Sequence, residues 1–497
     1  MPSQFYGHCR ATLGSDVLLG PGTLVKGIAG RNNRRRHRLD THAFLLGGKI
    51  MTDSLLIQGG TILTATKEQP VIENGFILIE KGQIAAIGPG RPKPEIDVDE
   101  VIDARDKLVI PGFVNAHTHL CMTLGRSLGT DRTLLQWLSL SQLPFMNQMT
   151  PEDYGLAVTL GAIENLKSGN TTVCEIFFSS RYDDGADEIA VAALAETGIR
   201  GLFFRCSNDE EFAPGFHEAT IDISTRSQRL IETWRTDKRV HVGVGPIVPW
   251  SASENYWADT VDLVTNKAVP VHLHTAETPE YNDLVSARSG KRNVEFLADI
   301  GALGPNVMLN HCVHLTPGDI DLIAEHGSPV IHDPTSNMTL ASGVSPVPEM
   351  RAAGITMGLA CDGPACNNTQ DMFEVMKDAA LLHKVTRLDS GVLTAADVFA
   401  MATTGGAQAA GLGDSVGCLA AGRTADIVLV DTLSSHMRPL HDPMAALVYS
   451  ARAADVDTVL VGGRVVVRNR EILTVDEKSV IRRAQTRAEE LRRSAGV

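Results

Sequence analysis

The sequence predicts an α/β protein: a (β/α)8 TIM barrel with a small β-sandwich domain formed from the N- and C-terminal segments. Three observations predict it. Eight apolar, strand-like runs alternate with helical stretches over roughly 300 residues, the scale of such a barrel. Short alternating strands punctuated by Gly-Gly and Lys-Gly turns occur at both ends of the chain and not between. Histidines and one aspartate fall where apolar runs stop, the edge at which a barrel of this kind gathers its chemistry.

In chain order, residues 1–50 are Gly-rich and irregular, with Arg31, Arg34, Arg35, Arg36 and Arg38 against a single acid, Asp16, before Asp40. They read as a leader outside the fold; an organelle transit peptide is the other reading, but the glycines suit its amphipathic helix poorly. From Met51 the runs LLIQGGTILT, GFILIEKGQIAAIG and EVIDARDKLVI read as strands, and the same grammar returns after Gly413 in VGCLAAGRTADIVLVD and VDTVLVGGRVVVRNREI. Residues 51–110 and 413–475 are therefore assigned to one composite sandwich, 111–412 to the barrel and 476–497 to a C-terminal helix. The barrel strand candidates are VIPGFVNAHTH, TTVCEIFF, IRGLFFRCS, HVGVGPIVP, VPVHLHTAE, NVMLNHCVH, SPVIHDPTSN and ITMGLACDG. They are continuous Val/Ile/Leu runs, as expected of parallel strands buried on both faces. Thr150 with Pro151 and the acids after it signals a helix start in the first connection.

Bulk properties bound the function. The 497 residues exceed one ordinary core, and 43% hydrophobic content suits a globular enzyme. A net charge of −14 argues against a nucleic-acid partner, and no apolar run is long enough to span a membrane. The eight cysteines contain no C-x-x-C pair, which indicates a reducing, cytoplasmic setting.

The chemistry sits in four short motifs. His117 and His119 are two apart at the end of the first barrel run, so both imidazoles project from one face of an extended strand. A lone H-x-H pair is usually structural; its place after VIPGFVNA favours a metal. His274 in VHLHTAE is assigned to the same ion and Glu277 to proton transfer, since a carboxylate beside an activated water suits general acid–base work. The bland alternative for Glu277 is an acid stabilised at a helix N-terminus. His272 is read as a core or supporting histidine, His311 as polarising water or substrate, and His314 as structural. Asp362 ends the eighth run, where a buried carboxylate needs a cation or hydrogen bonds. Three imidazoles and a carboxylate suit zinc, with iron(II) also compatible, and such an ion makes hydroxide from water near neutral pH.

PGFVNAHTH, HTAE, HCVH, DPTSN and LACDG together resemble the amidohydrolase superfamily. The branch they look like holds S-adenosylhomocysteine/methylthioadenosine deaminases, guanine deaminases and chlorohydrolase-like triazine hydrolases. The similarity runs from about Met51 through the C-terminal strands. It implies one divalent ion held by His117, His119, His274 and Asp362, with Glu277 and His311 as the proton-handling pair and Asp362 able to take the water's proton. Binuclear members bridge two ions with a lysine at the end of the fourth strand; HVGVGPIVPW has none. The adenosine-type members commonly carry a His where this chain has Ile247, and an acid where it has Gln136 before Trp137. Both departures move the expectation from a nucleoside towards a free heterocycle. Gln136, Trp137 and Arg205 are assigned to substrate binding, with a salt bridge as the other reading of Arg205, and Phe177 as a further stacking face.

The expected protein is thus a zinc-dependent aminohydrolase that uses hydroxide generated at the ion to attack an sp² ring carbon and release ammonia. Hydrolysis of a cyclic amide, or of a halogenated or alkylamino triazine-type ring, is the enzymatic alternative. A non-catalytic scaffold is the third, against which the intact ligand set speaks. A small heterocyclic substrate, no nucleic acid or membrane, and a homo-oligomer, dimer or larger, complete the expectation.

Overall fold

The computed structural model describes residues 54–92, 96–210 and 212–497. The leader assigned to 1–50 lies outside the described residues. Among the described residues the strands form two sheets, one of nine strands and one of eight.

The first five strands are β1 (Ser54–Leu63), β2 (Val71–Glu80), β3 (Gln83–Pro89), β4 (Glu100–Asp103) and β5 (Lys107–Pro111). The last four are β14 (Ile427–Asp431), β15 (Val456–Val461), β16 (Arg464–Arg468) and β17 (Glu471–Ile472). They join in the order β17-β16-β15-β14-β5-β1-β2-β3, with β4 beside β1. The seam is the antiparallel pair β5–β14, Ile427 opposite Pro111 through Asp431 opposite Lys107. Leu55, Ile57, Ile77, Ile84, Val109, Ile427 and Leu460 share one buried cluster, and Ile84 N donates to Arg423 O at 2.8 Å. The two ends of the chain thus bury one apolar face together.

The second sheet is the barrel: β6 (Phe113–Thr118), β7 (Asn170–Phe177), β8 (Arg200–Ser207), β9 (Val240–Pro246), β10 (Val271–Thr275), β11 (Val307–His311), β12 (Val330–His332) and β13 (Met357–Leu359). They lie side by side in sequence order, every pair parallel. Each of the eight apolar runs supplies one barrel strand. All residues of β6, β7 and β8 are buried, as parallel strands covered on both faces require.

One run splits between the sheets. LVIPGFVNA supplies β5 to the first sheet and β6 to the barrel, parting at Gly112. A side chain there would meet Thr171 at 2.0 Å, so only a glycine lets the chain cross. Between β6 and β7 the helix Pro151–Lys167 starts at Thr150, which accepts from Asp153 N in a capping box. The C-terminal helix Glu477–Ala495 is tied to it by Arg487 on Asp153 and Glu477 on Lys167.

The ring is closed between β6 and the chain beyond β13. Asp362 N donates to His117 O at 3.0 Å, and Cys361 N donates to Asn115 Oδ1 at 2.9 Å. Closure therefore sets the first and last metal-type residues side by side. No helix among the described residues is long and apolar enough to cross a membrane.

Candidate active site

The ends of β10, β11 and β13 lead into sharp turns. Ala276, His311, Cys312 and Asp362 have φ of 47°, 65°, 48° and 58°, the left-handed region that costs a residue with a Cβ about 1–3 kcal/mol and clusters at functional sites. These turns aim Glu277, His311 and Asp362 into the barrel mouth.

There the side chains converge. His117, His119 and His274 present ligand atoms within 4.8 Å of one another, and so do His117, His311 and Asp362. His117 Nε2 lies 3.4 Å and His119 Nε2 3.7 Å from Asp362 Oδ1. Burial pushes His117, His119 and His274 below the ordinary imidazole range, which leaves them neutral and fit to be ligands. Burial alone would raise Asp362, but His117, 3.4 Å away, and the imidazoles around it hold it well below the usual carboxylate range.

The hydrogen bonds fix which nitrogen faces inward. His119 Nδ1 donates to Ile176 O at 2.8 Å and His274 Nδ1 to Ile247 O at 2.7 Å. In a neutral ring the other nitrogen then carries a lone pair. Those two Nε2 atoms lie 3.1 Å apart. Two lone pairs cannot bond each other, and buried His117 Nε2 makes no hydrogen bond within the protein. A cation shared among the three resolves both conflicts, so the donor set fits a divalent ion. His272 stands behind it, its Nε2 3.2 Å from His117 Nδ1.

Beside the donor set lies a second group. His311 Nε2 is 3.5 Å from Glu277 Oε2, while its Nδ1 donates to Asn337 Oδ1 at 3.0 Å, with Asp333 Oδ2 at 3.7 Å. Ser342 Oγ donates to Glu277 Oε1 at 3.0 Å, and Ser336 Oγ donates to Asp362 Oδ2 at 2.6 Å. Burial pushes Glu277 up. Its proton affinity is thereby brought nearer the range where a carboxyl can both take and give a proton.

These groups floor a cavity whose walls are largely apolar, Trp137, Phe178, Ile247 and Leu340 among them. Residues 108–466 match the amidohydrolase family. The chain belongs to that family. It is similar to a 5-methylthioadenosine/S-adenosylhomocysteine deaminase of Pelotomaculum thermopropionicum, at 38% identity over 438 residues, 88% of this chain and 98% of that protein. A 5'-deoxyadenosine deaminase of Methanothermobacter thermautotrophicus is 38% identical over 445 residues, 88% of this chain and 99% of that protein. Among solved structures, an adenosine deaminase from Xanthomonas campestris with bound zinc superposes with a TM-score of 0.83 at 30% identity, covering 88% of this chain and 98% of that one.

Within this amidohydrolase frame, three sequence-based assignments need correction. Arg205 is fully buried and does not line the cavity. It donates to Asp187 Oδ2 at 2.6 Å and Glu218 Oε1 at 2.8 Å, and its guanidinium lies 4.1 Å from the Tyr182 ring centroid. It is a structural ion pair, the other reading the sequence allowed. Gln136 is exposed and outside the cavity: Leu134, Trp137 and Leu138 take the inward positions i, i+3 and i+4, and Gln136 is left on the outer face. Phe177 packs on Tyr154 and Phe203, and the next residue, Phe178, faces the cavity instead.

Several residues at the site carry no local sequence signal. Asn337, Ser336 and Asp333 belong to the DPTSN motif, but nothing in it says which imidazole or carboxylate they meet. Glu175 Oε2 and Oε1 accept from the backbone N of Leu120 and Cys121 at 2.6 and 3.0 Å, fixing the turn that follows His119.

Proposed function

We propose that this amidohydrolase is a metal-dependent deaminase that converts an amino-bearing sp² ring carbon of a nitrogen heterocycle to its hydroxyl or oxo form and releases ammonia. The observation that carries the reading is a convergent His/Asp donor set and an adjoining buried Glu277–His311 pair in the floor of one cavity. Relatives 38% identical are named as deaminases, which favours ammonia over halide as the leaving group.

His117, His119, His274 and Asp362 would hold one divalent ion; zinc is preferred because a relative's structure holds it, and iron(II) suits the same donors. Bound there, such an ion supplies a water acidic enough to ionise near neutral pH. The remaining steps belong to side chains. Glu277 takes the proton of the attacking water at the oxygen that faces His311 and passes it to a ring nitrogen. Ser342 steadies the other carboxylate oxygen throughout. Asn337 Oδ1 accepts the hydrogen bond from His311 Nδ1–H, so that Nε2 is the atom turned to the reacting oxygen. Asp362, held by Ser336, is ionised at the outset; it accepts the second proton, delivers it to the departing amine and so returns to its ionised form. The apolar walls exclude other water, which would compete for these polar groups.

The seven described cysteines are all unpaired and six are buried, which supports a cytoplasmic protein. Leu381, Val385 and Leu388, at i, i+4 and i+7, are 47%, 66% and 92% exposed at the end of the helix Met372–Arg387 and just past it. That apolar stripe supports a homo-oligomer of two or more chains, and the acidic net charge of −14 supports the absence of a nucleic-acid partner.

The test is ammonia release from a panel of aminated purines, pterins, pyrimidines and triazines, with halide release from chlorinated triazines measured in parallel. Ammonia from at least one ring, abolished by chelation, is expected. Halide without ammonia would move the reading to displacement at a triazine-type ring, the alternative that the apolar Ile247 favours.

A further inference from the structure

The walls of the cavity say what else the ring carries. Every acid and imidazole lining the cavity belongs to the floor: His119, His274, Glu277, His311 and Asp362. Above them the helical segment that starts at Leu134 turns Leu134, Trp137 and Leu138 inward, and a π-type turn at Leu138–Gln142 carries the chain out again. Ile247 and Val248 after β9, with Phe178 after β7, complete walls that hold no carboxylate, amide, lysine or arginine.

The charged side chains nearest these strand ends are engaged elsewhere. Glu175 accepts from two backbone N–H groups. Glu218 takes Arg205, Arg226 and Ser207, and Asp209 takes Ser253 and Thr220. Arg181 donates to Met149 O and Asn147 O. A vicinal diol entering above the floor would lose its water and meet no carboxylate or amide, the one tyrosine of the lining, Tyr281, being engaged beside Glu277, and a zwitterionic tail would be desolvated against leucine and phenylalanine.

We infer that the substrate is an uncharged, amino-substituted heteroaromatic ring bearing no sugar and no charged tail, its other substituents being apolar: alkyl, thioether or aryl. The inference rests on the deaminase reading and sets this chain apart from relatives whose names carry adenosine, methylthioadenosine and S-adenosylhomocysteine. Trp137 and Phe178 give the ring flat faces, and Ile247 and Leu138 receive its substituent.

The test is a matched set sharing one ring: 9-ethyladenine, adenosine and S-adenosylhomocysteine. Ammonia release by the metal-loaded enzyme gives kcat/KM, and equilibrium binding to Glu277→Gln reads the walls independently of turnover. The expected result is a kcat/KM for 9-ethyladenine at least ~10²-fold above that for adenosine, the scale on which an apolar pocket rejects added hydroxyls. The binding order should be the same, and S-adenosylhomocysteine should be neither bound nor turned over. Adenosine or S-adenosylhomocysteine bound and deaminated as well as 9-ethyladenine would overturn this inference and leave the deaminase reading standing. Binding in the expected order with no ammonia from any compound would support the walls' selectivity and count against the deaminase reading instead.

Discussion

His119 and His274 point their Nε2 atoms at one another across 3.1 Å while each donates a hydrogen bond from Nδ1–H to a backbone carbonyl, Ile176 O and Ile247 O. The protein thus fixes two tautomers that have no use for each other. Carbonyls at the ends of two different strands hold lone pairs where a cation can use both, and His117 and Asp362 arrive from the closing seam of the barrel. This arrangement makes the donor set a built site and not a chance cluster of polar groups in the mouth.

One ion per chain is the expected content. Metal analysis of the purified protein should return a ratio near unity, and chelation should abolish ammonia release until zinc is restored. His274→Ala removes one of the two facing lone pairs and should lose both metal and activity. A reproducible ratio of two would overturn the single-ion assignment.

Arg205 should matter to stability and not to substrate. With Arg205→Met, Asp187 and Glu218 lose a fully buried partner, a change typically worth about 3–5 kcal/mol. Urea unfolding should show a loss of that order, with KM unchanged in the folded fraction. An unchanged midpoint with a raised KM would return Arg205 to the substrate.

Glu175 gives the fold a pH dependence whose sign can be stated. Burial pushes its carboxyl up to about 8 from an ordinary value of 4.5, against the pull of two backbone N–H donors. The folded state therefore holds this proton more tightly than the unfolded chain does. The stabilising contribution is full below 4.5 and is lost as pH rises through about 8. At about 1.4 kcal/mol per pH unit it amounts to several kcal/mol. The difference in thermal midpoint between the protein and Glu175→Gln should change steadily across that window, the variant gaining relative to the protein as pH rises. A constant difference would show that Glu175 keeps one charge state throughout.

The barrel was legible because parallel strands buried on both faces read as unbroken apolar runs, and eight such runs became eight strands in sequence order. The candidate ligands were legible because each follows such a run directly. Other features depend on contacts that a linear reading does not contain. Ser342 meets Glu277 from 65 residues away, and Asn337 meets His311 from 26 away. Gln136 and Phe177 were each misplaced by one position, since a single step turns a helical side chain by about 100° and reverses one on a strand. Gly112 was hidden inside a run that looked like one strand and serves two sheets.

The most direct test of the account is Glu277→Gln, measured for metal content and for steady-state ammonia release on the same sample. Gln keeps the size of Glu277 and the contact with Ser342 but cannot carry a proton. The account predicts an unchanged metal ratio and a kcat lower by about 10²–10⁴-fold, the usual weight of a general acid–base group. A variant that loses the metal, or that turns over at a near-normal rate, would contradict it: the first would make Glu277 a ligand, and the second would leave the proton transfers to Asp362 alone.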